Sequence, residues 1–159
     1  MPRTAPLILL LVSVAVLGVA LLAQYGGGLV PCELCIYQRW PYLAVIALMA
    51  LALGIGRRDF SRAALWAAAV IFIAGAVLAF YHVGVERHWF AGPTACTGGG
   101  LTGGSIEEIR KRLEATPVVR CDEPQWTVMG IDPLSSGNLV VSLVLFVVSW
   151  RLATRMARK

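Results

Sequence analysis

Four long apolar stretches divide this chain of 159 residues and restrict what it can fold into. A helix needs roughly 20 mostly apolar residues to cross a bilayer, and suitable runs lie at about 5–23, 38–56, 63–83 and 135–152. The chain is 58% hydrophobic and only 14% charged, which is outside the usual composition of soluble domains. Because backbone groups in lipid must bond within their own segment, the sequence predicts an all-α membrane protein. We expect one domain, a bundle of four transmembrane helices.

The first apolar run also has features of a secretory signal peptide. Arg3 precedes it, and small residues lie near its end at Ala23. Its apolar core is longer than that of a typical signal peptide, and the Gln-Tyr-Gly-Gly that follows is as typical of a turn as of a cleavage site. We therefore expect this run to be retained as the first transmembrane helix.

Lysine and arginine are shared unequally between the two sides of the predicted bundle. The side with both termini and the link between the second and third runs has eight cations and one carboxylate, Asp59, whereas the other side has six cations and eight carboxylates. Cytoplasmic segments near span ends are enriched in Lys and Arg, so the termini are predicted to be cytoplasmic. Links 24–37 and 84–134 then face the opposite compartment. The excess of positive charge reflects topology and gives no reason to expect a nucleic acid partner.

All four cysteines lie in these two outer links. Cys32 and Cys35 form a Cys-x-x-Cys motif, while Cys96 and Cys121 lie in the long second link. Disulfides persist outside the cytoplasm, so two pairs on one side predict electron transfer between dithiols. Zinc is disfavoured because it normally takes a second close pair of cysteines or histidines. For Cys96 and Cys121, a structural disulfide is the alternative.

Arg39 follows the Cys-x-x-Cys motif closely. If this segment is helical, Cys32, Cys35 and Arg39 share one face, and Arg39 can stabilise the Cys35 thiolate or hold an oxygen of an electron acceptor. Pro41 is also typical of a new helix start, which would change this geometry. The alternative is that Arg39 is an interfacial cation without a role in the chemistry.

The second outer link contains the signature of a short helix. Ser105 and Glu108 match a capping box, and Ile106, Ile109 and Leu113 would share one face of a helix that ends before Pro117. The sequence therefore predicts a short amphipathic helix in this link, lying either on the membrane surface or against the protein.

Several of these features together resemble the DsbB family of disulfide bond formation proteins. They are the Pro-Cys-Glu-Leu-Cys-Ile-Tyr-Gln-Arg string at Pro31–Arg39, the four apolar runs, the second cysteine pair and the Gln-Trp-x-x-x-Gly segment at Gln125–Gly130. The resemblance covers essentially the whole chain. It implies a bacterial inner-membrane thiol:quinone oxidoreductase that reoxidises a periplasmic DsbA-like thioredoxin-fold oxidase and passes two electrons to ubiquinone or menaquinone.

The resemblance also implies roles for individual residues. Cys32 and Cys35 correspond to the quinone-coupled pair, whereas Cys96 and Cys121 correspond to the pair that meets the soluble partner, with Cys96 forming the mixed disulfide. Arg39 matches the arginine beside the quinone. His82 matches a histidine near the quinone headgroup, the alternative being an interfacial histidine without function.

Two other functions fit the same features. One is that of a relative of the vitamin K epoxide reductases, which would reduce quinone for its own sake; a fused thioredoxin domain would favour this interpretation. The other is a non-enzymatic membrane scaffold with two structural disulfides, whose cysteines would be inert when quinone is supplied.

Overall fold

The computed structural model describes residues 3–93, 105, 107, 119–123, 127 and 132–158. Within these residues the chain forms five helices, which we number in order: α1 Thr4–Tyr25, α2 Glu33–Tyr37, α3 Trp40–Ile55, α4 Arg58–Glu86 and α5 Pro133–Ala157. The amphipathic helix predicted in the second outer link lies outside the described residues, apart from its Ser105 and Glu107.

The predicted all-helical fold with four apolar spans is confirmed. Four helical segments of the described chain are long and apolar enough to cross a membrane: Thr4–Tyr25, Glu33–Ile55, Arg58–Glu86 and Leu134–Ala157. Each is longer than the apolar run that predicted it, because the helices continue into polar residues at their ends, and in the second, third and fourth spans into charged ones. Such long charged side chains can reach the polar interface while their stems stay in apolar surroundings.

The second span consists of two helices and not one. Cys32 is the N-cap of α2, since its Sγ accepts a hydrogen bond from the Cys35 backbone N–H at 3.2 Å. This helix ends at Tyr37, and α3 begins at Trp40 with Pro41 in its first turn, where the missing N–H of proline leaves no bond unmade. The Cys-x-x-Cys motif therefore lies in a helix at the start of the span, whereas the sequence had placed it in a link.

The helices pack in the order α1, α3, α4, α5, with extensive contact between α4 and α5 and little contact between α1 and α5. The core is formed by aliphatic and aromatic side chains such as Leu9, Val45 and Phe72. Where α3 crosses α4, Gly75 allows a close approach, since a Cβ there would lie 3.2 Å from Pro41 Cγ. The scarcity of contacts between α1 and α5 leaves a gap at the end of the bundle where α1 and α4 end, which we call the cysteine end.

After α4 the chain folds back onto its own last turns. The Trp89 backbone N–H donates to Gly84 O at 2.8 Å, and His88 takes a left-handed conformation with φ of 57°. This turn lays the Phe90 ring over Gly84, where it stacks on Tyr81 with ring centroids 5.9 Å apart. The contact depends on the missing side chain of Gly84.

Replacing Gly84 with alanine is expected to lower the stability of the protein. The new Cβ would lie 2.2 Å from Phe90 Cδ2, so the ring must move, and overpacking of this kind costs about 1–3 kcal/mol. Thermal unfolding of the detergent-solubilised protein measures the effect. Gly18→Ala is the matched control, because a Cβ at this helical glycine meets nothing within 4 Å; equal losses in both variants would contradict the packing.

Candidate active site at the cysteine end

A cavity of about 440 Å³ lies at the cysteine end, in the gap between α1 and α5. One wall is apolar and comes from residues of α1, including Val16, Val19 and Ala20. Many of the other lining residues are polar, among them Cys32, Cys35, Gln38, Arg39, His82 and Glu86. The cavity thus combines an apolar surface with a few convergent polar side chains, which is the usual composition of a small-molecule site.

The Cys-x-x-Cys pair is among the polar groups that line this cavity. Cys32 and Cys35 are both free thiols, and their sulfurs are 2.7 Å apart. Cys32 is buried, whereas Cys35 is partly exposed. His82, from the far end of α4, approaches with its Nε2 atom 3.5 Å from Cys32 Sγ. The structure therefore brings together three of the candidate site residues predicted from the sequence. Two of them, Cys32 and His82, are 50 positions apart.

Hydrogen bonds converge on Cys32 and stabilise its thiolate. The Cys35 thiol, the His82 ring and the Cys35 backbone N–H all face Cys32 Sγ. With the Cys35 side chain as the largest cause, and against the opposing effect of burial, these contacts lower the pKa of Cys32 from 9.0 to about 5. Cys32 is therefore a thiolate at neutral pH, the form in which a cysteine reacts with disulfides.

Alkylation of Cys32 in the reduced protein is expected to have a midpoint near pH 5, because the thiolate is lost as the pH falls through that value. Replacing His82 with phenylalanine should raise the midpoint by removing one donor. Site-resolved mass spectrometry after short exposure to iodoacetamide measures the rate. His88→Asn is the matched control, since His88 is the only other histidine and is exposed, and asparagine tolerates the left-handed conformation at this position. A midpoint near 9 in the wild type would contradict the assignment.

Cys32, Cys35 and His82 also form the one group of potential metal ligands found among the described residues, with their donor atoms within 4.8 Å of one another. The sequence identified His82 as a candidate for the quinone site and did not place it beside the two cysteines. The sulfurs are 2.7 Å apart, however, whereas two thiolates at about 2.3 Å from a tetrahedral zinc ion would be separated by about 3.8 Å. The two sulfurs are therefore closer together than zinc ligands would be, and their separation suits thiol–disulfide chemistry.

Arg39 lines the same cavity, but it does not share a continuous helical face with Cys32 and Cys35. The break after Tyr37 removes the continuous helical face, so Arg39 precedes α3 as its N-cap. Its Nη1 atom donates to Gln24 Oε1 of α1 at 2.6 Å, and both side chains line the cavity. Arg39 and Cys35 thus line one cavity, and Gln24 fixes the position of the guanidinium.

The second cysteine pair is described in part. Cys121 is disulfide-bonded and 1% exposed, and it belongs to the same apolar cluster as Cys32 and Val85. Next to it, Arg120 forms an ion pair with Asp122 at 2.7 Å, which lowers the pKa of that carboxyl. Cys96 lies outside the described residues. Cys121 also lines the cavity, so the two outer links meet at the Cys-x-x-Cys pair.

Three polar residues of the site were missed in the sequence. Glu86 Oε2 accepts a hydrogen bond from Ser135 Oγ at 2.6 Å, and Glu86 Oε1 lies 3.4 Å from His82 Nε2. Gln38 and Asn138 are hydrogen-bonded to each other at the same end. The sequence could have indicated these residues, because polar groups inside apolar spans mark functional positions. Glu86 also lies one helical turn after His82.

Comparison with known proteins agrees with this geometry. Residues 2–152 match the family model described as "Disulfide bond formation protein DsbB". The disulfide bond formation protein B of Herminiimonas arsenicoxydans is 32% identical over 110 residues, which cover 69% of this chain and 62% of that relative. An uncharacterized protein, RP370 of Rickettsia prowazekii (strain Madrid E), is 29% identical over 144 residues, covering 89% of this chain and 81% of its own.

No solved structure matches the chain. The family match nevertheless covers nearly all of it, including three spans and most of the fourth, the Cys-x-x-Cys pair and the segment around Cys121. The resemblance found in the sequence is thereby confirmed. The chain belongs to the DsbB family, a family of multi-pass membrane thiol:quinone oxidoreductases that act in disulfide bond formation.

Proposed function

We propose that this protein reoxidises a periplasmic DsbA-like thioredoxin-fold oxidase and passes the two electrons to quinone in the bacterial inner membrane. The observation that carries the proposal is the position of the Cys32–Cys35 pair, which lines an apolar cavity between two membrane helices. A dithiol in this position is within reach of a lipid-soluble electron acceptor and of the second outer link.

The cavity has the size and chemistry that a quinone headgroup requires. Its volume of about 440 Å³ lies within the range of roughly 300–1,000 Å³ typical of small-molecule sites. The apolar residues of α1 suit the ring and the start of an isoprenoid tail, while Arg39 supplies donors for a ring oxygen and His82 lines the same cavity beside Cys32. A bound quinone would accept two electrons and two protons from the dithiol.

The residues of this chain then have distinct tasks. The partner's thiolate attacks the disulfide of the second cysteine pair and forms a mixed disulfide with Cys96, which releases Cys121. Cys121 then attacks Cys32 of an oxidised Cys32–Cys35 disulfide and expels Cys35 as a thiolate. The partner's second thiol attacks the mixed disulfide, so the partner leaves as a disulfide and Cys96 is released. Cys96 attacks Cys121, which re-forms the Cys96–Cys121 disulfide and expels Cys32, so that the two electrons now reside on the Cys32–Cys35 dithiol that lines the cavity. Arg39, held by Gln24, orients the acceptor. The net change is one disulfide formed in the partner for each acceptor molecule reduced.

The proposed location requires the cysteine end to face the periplasm. At the opposite end of the bundle lie Arg57, Arg58, Arg62 and Arg155, in agreement with the positive-inside rule. An impermeant maleimide applied to intact spheroplasts after reduction is expected to label Cys96 and Cys121. Labelling that appears only after lysis of the inner membrane would reverse the orientation and remove the proposed contact with a periplasmic partner.

The function is tested by mixing the purified protein with quinone and a reduced DsbA-like oxidase and following quinone absorbance. Sustained quinone reduction is expected, and Cys121→Ser should abolish the partner-dependent rate. Quinone reduction at the same rate with small dithiols and without the partner would favour the vitamin K epoxide reductase-like alternative. No change in absorbance, with unreactive cysteines, would favour the scaffold.

A further inference from the structure

A chain of hydrogen bonds connects the interior of the bundle to the candidate active site. It begins at Ser142 of α5, whose Oγ lies 3.1 Å from the Tyr42 hydroxyl of α3. The Tyr42 O–H donates to Asn138 Oδ1 at 2.5 Å, so the Ser142 hydroxyl must be the donor to Tyr42. Asn138 Nδ2 in turn donates to Gln38 Oε1. The two amide side chains therefore link α5 to the turn between α2 and α3.

The chain continues from Gln38 to the cysteines. Gln38 Nε2 lies 2.7 Å from His82 Nδ1, and the other ring nitrogen, His82 Nε2, lies 3.5 Å from Cys32 Sγ. Gln38 is 6% exposed and His82 3% exposed. Burying a polar group without a hydrogen-bond partner costs free energy, so each of these hydrogen bonds stabilises the folded protein relative to a fold in which it is broken.

In this series of hydrogen bonds, every donor points in the same direction. An amide side chain has a donor on one side and an acceptor on the other. Turning either Gln38 or Asn138 alone would bring two donors or two acceptors face to face. This series of hydrogen bonds can therefore have one of two directions. Reversing the direction requires every donor and acceptor in the series to exchange roles. In the structure it runs from Ser142 towards Cys32.

This direction fixes the protonation of the histidine. Because Gln38 directs an N–H at His82 Nδ1, that nitrogen is an acceptor and carries no proton. The neutral ring must then carry its proton on Nε2, which lies 3.5 Å from Cys32 Sγ and 3.4 Å from Glu86 Oε1, so that both are acceptors for this N–H. A doubly protonated ring would bring Nδ1–H against the amide N–H of Gln38.

We propose that Gln38 and Asn138 are positioning residues that hold His82 as its Nε2–H tautomer, so that His82 donates a hydrogen bond to Cys32 and does not act as the base that deprotonates it. This inference deepens the proposed function and depends on it only for its effect on turnover. The tautomer itself belongs to the resting protein and can be measured without quinone or partner. A failure of this inference is therefore distinct from a failure of the proposed function.

Nitrogen-15 NMR of the reduced full-length protein, labelled at histidine, tests the inference directly. The chain has two histidines, and the His88→Gln variant assigns the signals of His82. We expect Nε2 of His82 to be protonated and Nδ1 unprotonated at neutral pH. Protonation of Nδ1 in the wild type would overturn the inference, whatever the variants do.

Two variants test the individual positions. Gln38→Glu replaces the donor at Nδ1 by an acceptor, so Nδ1 is expected to become protonated. Asn138→Leu removes the bond that fixes the Gln38 amide, so both tautomers should be seen. Ser149→Ala is the control, since Ser149 is also a polar residue of α5 and is buried, but it donates only to the backbone of the same helix, at Leu145 O, 2.7 Å away. An unchanged Nε2–H tautomer in Asn138→Leu would remove Asn138 from the proposal.

Discussion

Electron delivery to quinone is expected to stop when Cys35 is replaced by serine. A hydroxyl cannot form a disulfide, and Cys35 is the sulfur 2.7 Å from Cys32 in the cavity. Loss of one member of a unit that reacts together removes nearly all of the rate, so we expect a decrease of roughly a thousand-fold or more. Quinone absorbance at saturating reduced partner measures it. Cys35→Ala, which leaves no side-chain donor, also removes the main cause of the low pKa of Cys32, so its alkylation midpoint should rise in that variant.

The order of the two cysteine pairs gives this experiment its control. Cys35→Ser should still allow Cys96 to be trapped in a mixed disulfide with the soluble partner, because that exchange takes place in the second outer link. Replacing Cys96 should have the reverse effect, with trapping lost and Cys32 and Cys35 still oxidised by quinone. Identical behaviour of the two variants would contradict the proposed relay.

The second large effect is expected at Arg39. Its guanidinium lines the cavity and is held by Gln24 at 2.6 Å. A hydrogen bond to a charged group contributes about 1.5–3 kcal/mol, so Arg39→Ala should raise the apparent KM for quinone by about ten-fold to a hundred-fold. Arg39→Lys keeps the charge but loses the planar pair of donors, and a rise of only a few-fold is expected. Steady-state kinetics at limiting quinone measures both.

The controls separate quinone binding from a general defect. The KM for the reduced partner should barely change in either Arg39 variant, because docking occurs in the second outer link. Arg62→Ala is the matched control, since Arg62 is exposed at the opposite end of the bundle. If Arg39→Ala had wild-type activity at limiting quinone, Arg39 would be an interfacial cation without a role in the chemistry.

The spans were predictable because the bilayer sets the length and polarity of whatever crosses it. The ends of the spans were not. The third apolar run was predicted to end at about residue 83, whereas α4 continues to Glu86. The carboxylate of Glu86 is tolerated there because Ser135 of α5 donates to it. A pairing between helices of this kind is invisible in a hydropathy pattern.

The site could be predicted only as a set of residues and not as an arrangement. The Cys-x-x-Cys motif is local, and its spacing alone indicated a redox pair. The contact of His82 with Cys32 spans 50 positions, and that of Asn138 with Gln38 spans 100. Such contacts depend on how α3, α4 and α5 pack together. Pro41 did indicate a helix start, and the resulting break after Tyr37 changed how Arg39 reaches the cavity.

The central claim is that the Cys32–Cys35 dithiol delivers its electrons directly to quinone. Its most direct test is a single turnover without oxygen or partner, in which the fully reduced Cys96→Ser, Cys121→Ser variant is mixed with excess quinone. We expect one quinol for each Cys32–Cys35 disulfide formed, measured by quinone absorbance and by the loss of two thiols per chain. Thiols that remain reduced in the presence of quinone, in a protein shown to be folded, would contradict the account.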